Sequence, residues 1–212
     1  MPNDTKERIL KAALEIFSRD GFSGANLKDI AGAVGVVKSG FYRHYASKEE
    51  LWDAVLIEME RYYAERFGSS ENMPAIPRSP DELKTLTLRM LDFTMHDEKI
   101  IMTRKILLTE QFRDARVCAL ATRHFGTGLE ALFTKIFAGM MENGSLRRGD
   151  PAMLAFAYSA PISTLVQLCD REPDQYEEVM KKIKAFVEHF ITVEGNSVPY
   201  VTVDSATDAY HG

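Results

Sequence analysis

Between residues 38 and 48 the chain concentrates side chains of the kinds that bind nucleic acid: Lys38, Ser39, Gly40, Tyr42, Arg43, His44 and Lys48. Lysine and arginine donate to phosphate oxygens. An arginine fork also matches the edge of guanine, and small or hydroxyl-bearing residues fit against base edges and thymine methyls. Lys38, Ser39, Gly40 and Arg43 are the candidates for base contact. Gly40 would act by absence, letting the backbone approach the groove; it reads equally as a tolerated surface glycine.

These residues need a rigid mount, and the flanking sequence provides one. Residues 26 to 48 read as two short helices joined by a glycine-bearing turn, which is a helix-turn-helix. Asn26 can cap the first helix and is counted with the DNA-facing set. Leu27, Ile30, Ala31 and Val34 form its buried stripe, and Gly35 ends it. Val36 and Phe41 bury the second helix, leaving the polar set uncovered. Upstream, Ile9, Leu10, Ala13, Leu14 and Phe17 recur at helical spacing, with Asp4 and Glu7 placed for a capping box and Gly21 for the stop. Downstream, Ser47 and Glu50 make a second capping box that opens a long helix.

This arrangement over roughly residues 5 to 55 closely resembles the TetR family of bacterial transcriptional regulators. The resemblance implies an all-α fold of about nine helices: a DNA-binding domain of three helices at residues 1–47, a ligand-binding and dimerisation domain at 48–194 whose first helix, 48–67, connects the two, and a tail at 195–212. It places Tyr42, His44 and Lys48 at phosphate-contacting positions. It further implies a homodimer on a palindromic double-stranded DNA operator, acting as a repressor and released by a small-molecule effector of unknown identity that tilts the connecting helix. One position departs from the pattern. Val37 stands where a small hydroxyl residue usually caps the recognition helix, and valine can neither cap nor donate to phosphate, so some affinity is expected to be lost.

Composition fits this reading. The 212 residues suffice for a small domain and a larger one, and 45% are hydrophobic. The net charge of −5 divides unevenly: residues 1 to 48 carry eight Lys or Arg against five acids, a balance of +3, and the remainder carries −8. Positive charge confined to the N-terminal part suits phosphate contact there. The charged N-terminus lacks the apolar core of a signal peptide, so a cytoplasmic protein is expected. Ala152 to Cys169 is free of charge, yet its Ser159, Pro161, Ser163, Thr164 and Gln167 argue for a buried helix rather than a membrane span. Cys118 and Cys169 are expected to be buried thiols.

Helical periodicity continues through Leu51, Trp52, Val55, Leu56 and Met59, breaks over the proline-bearing segment 68–80, and resumes over 80–96, 98–113 and 116–143, in a helix capped by Asp150 with Pro151 in its first turn, and over 174–193. Pro161 should kink the eighth helix. On the last helix Tyr176, Val179, Met180, Ile183, Val187 and Phe190 form an apolar stripe. With Leu165 of the preceding helix, they are expected to form a dimer interface of four helices, unless both helices simply close an intramolecular core. The tail offers at most a short strand at Val198 to Val203.

A ligand cavity is expected among Met90, Phe93, Met102, Ile106, Phe125, Leu129, Phe133, Phe156 and Tyr158. Polar neighbours His96, Arg104, Gln111, His124 and Tyr158 would set its preference for a largely apolar or aromatic molecule. No enzyme is indicated. The chain has no glycine-rich phosphate loop, nucleophile motif or cofactor signature, and His44, His96, His124, His189 and His211 lack zinc-ligand spacing. The alternatives to a ligand-released repressor are an architectural DNA binder without an inducer, and an activator.

Overall fold

A computed structural model describes residues 2–67 and 73–195. Among them every regular element is helical, and the one β contact is an isolated antiparallel bridge between Leu146 and Gly195. The helices are α1 (Pro2–Gly24), α2 (Leu27–Val34), α3 (Lys38–Phe41), α4 (Lys48–Phe67), α5 (Pro80–His96), α6 (Glu98–Glu110), α7 (Ala115–Thr122), α8 (Gly128–Glu142), α9 (Pro151–Arg171) and α10 (Tyr176–Glu194). A π-helical turn, Arg123–Thr127, joins α7 to α8. The single rod expected over 116–143 is therefore two helices with a widened turn between them.

Local chemistry sets most boundaries. Asn26 caps α2 by accepting from the Lys28 N–H at 2.9 Å, and Gly35 ends it at φ 73°, in the left-handed region. Ser47 accepts from the Glu50 N–H at 3.1 Å while the Glu50 carboxylate reaches back to the Ala46 N–H at 2.6 Å, which fixes the start of α4. Ser79, Asp97, Asp114 and Asp150 cap α5, α6, α7 and α9 in the same way. The box expected at Asp4 and Glu7 is absent: α1 already begins at Pro2, so Asp4 lies in its first turn.

The apolar side chains form two cores. The first joins α1 to α4 with α6 and α7, and holds Ile9, Phe17, Ile30, Phe41, Leu51, Trp52, Ile106 and Leu107. The second holds Leu83, Phe133, Phe137, Tyr158, Ile162, Ile183, Val187 and Phe190 from α5, α8, α9 and α10. The α10 stripe expected to face a partner is thus corrected. Val179, Met180, Ile183, Val187 and Phe190 are buried against the chain's own α5, α8 and α9, and Leu165 and Tyr176 are half-buried beside them. Helical periodicity identifies an inward face without saying what covers it.

α9 is long and apolar enough to cross a membrane by length and composition. Its Ala155, Tyr158, Ile162 and Val166 nevertheless pack into the second core. Cys169 is buried, whereas Cys118 is exposed, contrary to expectation. The expected strand at Val198 to Val203 lies outside the described residues.

Candidate functional site

α3 is held from beneath. Phe41 is buried, packs edge-on against Tyr42 and lies beside the buried Tyr45. Arg8 of α1 donates to the Val34 carbonyl at 2.6 Å, fastening the end of α2. On this base Lys38, Ser39, Tyr42 and Arg43 are exposed, and Gly40, His44 and Lys48 half-exposed. The sequence-predicted DNA-facing residues therefore all reach solvent, on α3, in the turn after it and at the start of α4. Asn26 is exposed nearby, with its Oδ1 committed to the α2 cap.

None of Lys38, Arg43 and Lys48 makes an ion pair among the described residues. Lys38 lies over the Tyr42 ring at 5.9 Å and Lys48 over Phe22 at 4.7 Å, contacts that orient an ammonium without neutralising it. Val37 precedes α3 with no side-chain cap, 72% exposed. A β-carbon at Gly40 would meet only ordinary contacts, at 3.7 Å from Val36 and 3.9 Å from Val37, so the position has room for a side chain. α3 itself is a single turn, shorter than expected, and the chain continues through turns at Tyr42 to His44.

α6 is fastened to α4 at its start and to the end of α1 at its close. At its start Asp97 caps Ile100 through one oxygen and accepts from the Tyr62 hydroxyl of α4 through the other, at 2.7 Å. At its end Glu110 accepts from the Phe22 N–H of the α1 terminus at 3.2 Å. α7 and the π-turn follow α4 outward. Trp52 donates to Asp114 at 3.0 Å, Arg116 pairs with Asp53, Arg123 with Glu60 at 2.7 Å, and His124 stacks on Tyr63 with ring centres 3.7 Å apart. Arg116 and Trp52 hold the Asp114 carboxyl well below the usual carboxylate range. Burial, helped by Arg123, pulls His124 down to about 4.

Two cavities open on this framework. A cleft of about 790 Å³ between α1, α4 and the α5–α6 junction is lined by charged residues including Glu7, Lys11, Glu58, Arg61 and Lys99, with Leu14 and Met102 at its apolar side. The other, about 90 Å³, lies among α4, α5, α6, the π-turn, α8 and α9. It is lined by Tyr63, Thr87, Met90, Leu91, Thr94, Ile100, Arg104, His124, Phe125, Leu129, Phe133, Ser159, Ile162, Ser163, Val166 and Gln167.

Of the residues expected to line a ligand cavity, Met90, Phe125, Leu129 and Phe133 do so, with Arg104 and His124 among the polar neighbours. The others are corrected. Met102 belongs to the charged cleft and Ile106 to the first core, because α6 turns opposite sides to the two regions. Tyr158 is fully buried in the second core, hydrogen-bonded to Thr87 at 2.7 Å. Phe93 lies beside Arg66, and Phe156 is 55% exposed on the outer side of α9. His96 meets Tyr176 at 3.0 Å, and Gln111 bonds the Leu108 carbonyl. Tyr63, Ser159 and Gln167 are lining residues that the sequence reading does not single out. Tyr63 is legible as the next step of the Met59 stripe, four residues on; Ser159, Ile162, Ser163 and Val166 recur at i, i+3, i+4 and i+7 of α9.

Residues 9–55 match the family model for bacterial regulatory proteins of the tetR family. A curated relative, an uncharacterised HTH-type transcriptional regulator named YerO from Bacillus subtilis, is 31% identical over 112 residues, 51% of this chain and 36% of the relative. The chain thus matches about a third of that protein's length. Over the whole fold, a tetR-family regulator structure from Mesorhizobium loti superposes with a TM-score of 0.64 at 22% identity, covering 92% of this chain and 99% of the other. SmeT, the repressor of the Stenotrophomonas maltophilia multidrug efflux pump SmeDEF, gives 0.63 at 18% identity, covering 92% and 94%. The helix-turn-helix and its matched model agree: residues 9–55 belong to the tetR family of bacterial regulatory proteins, and the chain as a whole shares the all-helical fold of solved tetR-family structures.

Proposed function

We propose that the protein is a DNA-binding transcriptional repressor that acts as a homodimer and is released from its operator by a small, largely apolar molecule. The carrying observation is that Lys38 on α3, Arg43 in the turn after it and Lys48 at the start of α4 make no ion pair among the described residues and stand on a buried aromatic base. A single turn of helix contacts few base pairs, so two copies related by a twofold axis, reading half-sites about 34 to 36 Å apart, would supply the specificity.

The support for a dimer lies on α9 rather than on the α10 stripe. Met153 (62% exposed) and Phe156 (55%) continue through the exposed Pro161 and Thr164 as an outward face without charge. An exposed apolar strip of this kind suits a second copy of the same helix. The support for ligand control is the smaller cavity, whose wall includes Tyr63 of the connecting helix. Its occupant must prefer the geometry that does not bind DNA, and a near-complete switch needs about 5.5 kcal/mol of such preference.

Selection of genomic fragments by the purified protein tests this reading. Enrichment of one palindromic sequence that outcompetes bulk DNA at moderate salt is expected. Equal retention of all fragments would leave an architectural DNA binder, the second class the fold accommodates.

A further inference from the structure

The smaller cavity has a chemistry of its own. Among the described residues no carboxylate lines it. Its one permanent charge, Arg104, is already spent: the guanidinium grips Asp170 in a fork with both contacts at 2.8 Å, and its remaining terminal nitrogen donates to the Thr94 carbonyl. Arg104 and Asp170 are 8% and 6% exposed, so the pair is closed off from water and an entering ion would have to break it.

The groups left open are uncharged. Ser159 is 5% exposed and lines the cavity, and its hydroxyl makes no hydrogen bond among the described residues. The His124 ring nitrogens have no hydrogen-bond partner among those residues, and its desolvated ring stays neutral at pH 7. Around them stand Met90, Ile100, Leu129, Phe133, Ile162 and Val166.

Given the effector role proposed for this cavity, on which the assignment rests, we infer that the effector is an uncharged, single-ring compound carrying one hydroxyl- or amide-type hydrogen-bonding group. It is seated with its ring on the apolar wall and its polar group against Ser159 and His124. Size sets the ring count. At about 90 Å³ the cavity is smaller than the engineered apolar cavity of about 150 Å³ known to hold benzene, so one ring enters with a small outward shift and two do not. Charge sets the class. A cation meets no counter-charge on the wall, and an anion must compete with Asp170 for Arg104.

Three probes of one shape separate the possibilities: benzyl alcohol, benzoate and benzylammonium, titrated into the full-length protein without DNA and followed by calorimetry and thermal melting. Benzyl alcohol is expected to bind and raise the melting temperature, with the two ions at least about tenfold weaker. Ser159→Ala should weaken benzyl alcohol by about five- to tenfold while leaving the fold unchanged by circular dichroism. A two-ring probe, 2-naphthol, should bind more weakly than benzyl alcohol. Benzylammonium or benzoate binding as well as the alcohol, tighter binding of 2-naphthol, an unchanged affinity in Ser159→Ala, or no binding of benzyl alcohol to the folded protein would each overturn the assignment. Release of a bound operator fragment by benzyl alcohol is a separate measurement: probe binding without release defeats the induction reading and leaves the cavity assignment standing, and release without binding to this cavity does the reverse.

Discussion

The carboxylate of Glu110, 3% exposed at the end of α6, accepts the backbone N–H of Phe22 at 3.2 Å and thereby fastens the DNA-binding domain to the rest of the chain. Gly21 makes the approach feasible. Its φ of 70° disfavours any L side chain, and a β-carbon there would stand 2.5 Å from the Glu110 oxygen. Gly21→Ala should therefore cost about 1–3 kcal/mol, through strain and displacement of the carboxylate together. Glu110→Ala should cost a similar amount by orphaning the Phe22 N–H, whereas Glu110→Gln, which keeps an acceptor, should cost clearly less. Urea unfolding of the three variants checks this order.

The buried Arg104–Asp170 pair should be costly to halve and cheap to replace. Asp170→Ala leaves an uncompensated guanidinium inside the fold and is expected to destabilise by about 3–5 kcal/mol. The double change Arg104→Met with Asp170→Leu should recover most of that loss. If the single variant melts like the parent, the pair is not desolvated in solution.

Acid should weaken the fold through His124. Burial, with Arg123 adding repulsion, holds its folded value near 4, below the ordinary 6.5. A depressed histidine is neutral in the fold, so the unfolded chain binds the extra proton between those values. The contribution is complete above about pH 6.5 and fades as the pH falls toward 4. Stability should drop by about 1–3 kcal/mol across that window, and His124→Phe should flatten this part of the pH profile.

Lys48→Ala and Arg43→Ala should separate two kinds of DNA contact. Loss of a phosphate partner at Lys48 should weaken all sequences alike and lower the salt slope by about 1. Loss of a base contact at Arg43 should relax preference at one position of each half-site, at about 1–3 kcal/mol of discrimination. Anisotropy titrations over a range of salt and single-base operator variants read both.

Phe156→Glu and Met153→Glu place a charge on the outward face of α9. Both should lower dimer affinity by at least about tenfold in sedimentation experiments. Because both side chains are largely exposed in the single chain, its stability measured at concentrations where it is monomeric should change by no more than about 0.5 kcal/mol. Val187→Glu is the contrast: it should unfold the chain rather than split a dimer, since Val187 is 1% exposed in the second core.

The sequence by itself determined what is local. Asn26, Gly35, Ser47 with Glu50, Ser79 and Asp150 mark helix ends through contacts within a few residues, and the exposed set on α3 follows from which positions Val36 and Phe41 must bury. Tertiary structure decided which inward faces meet. Met102 and Ile106 share the α6 pattern with Ile100 and Arg104 yet face other regions, and the α10 stripe turned out to be the chain's own core while the outward apolar face lay on α9. Even the burial that depresses His124 is a matter of tertiary packing, with Tyr63, 61 positions earlier in the numbering, stacked on its ring at the π-turn. The reason is physical: a cap or a stripe is written within one helical turn, whereas a cavity is the space left when several helices pack, and its lining depends on how each is rotated against the others.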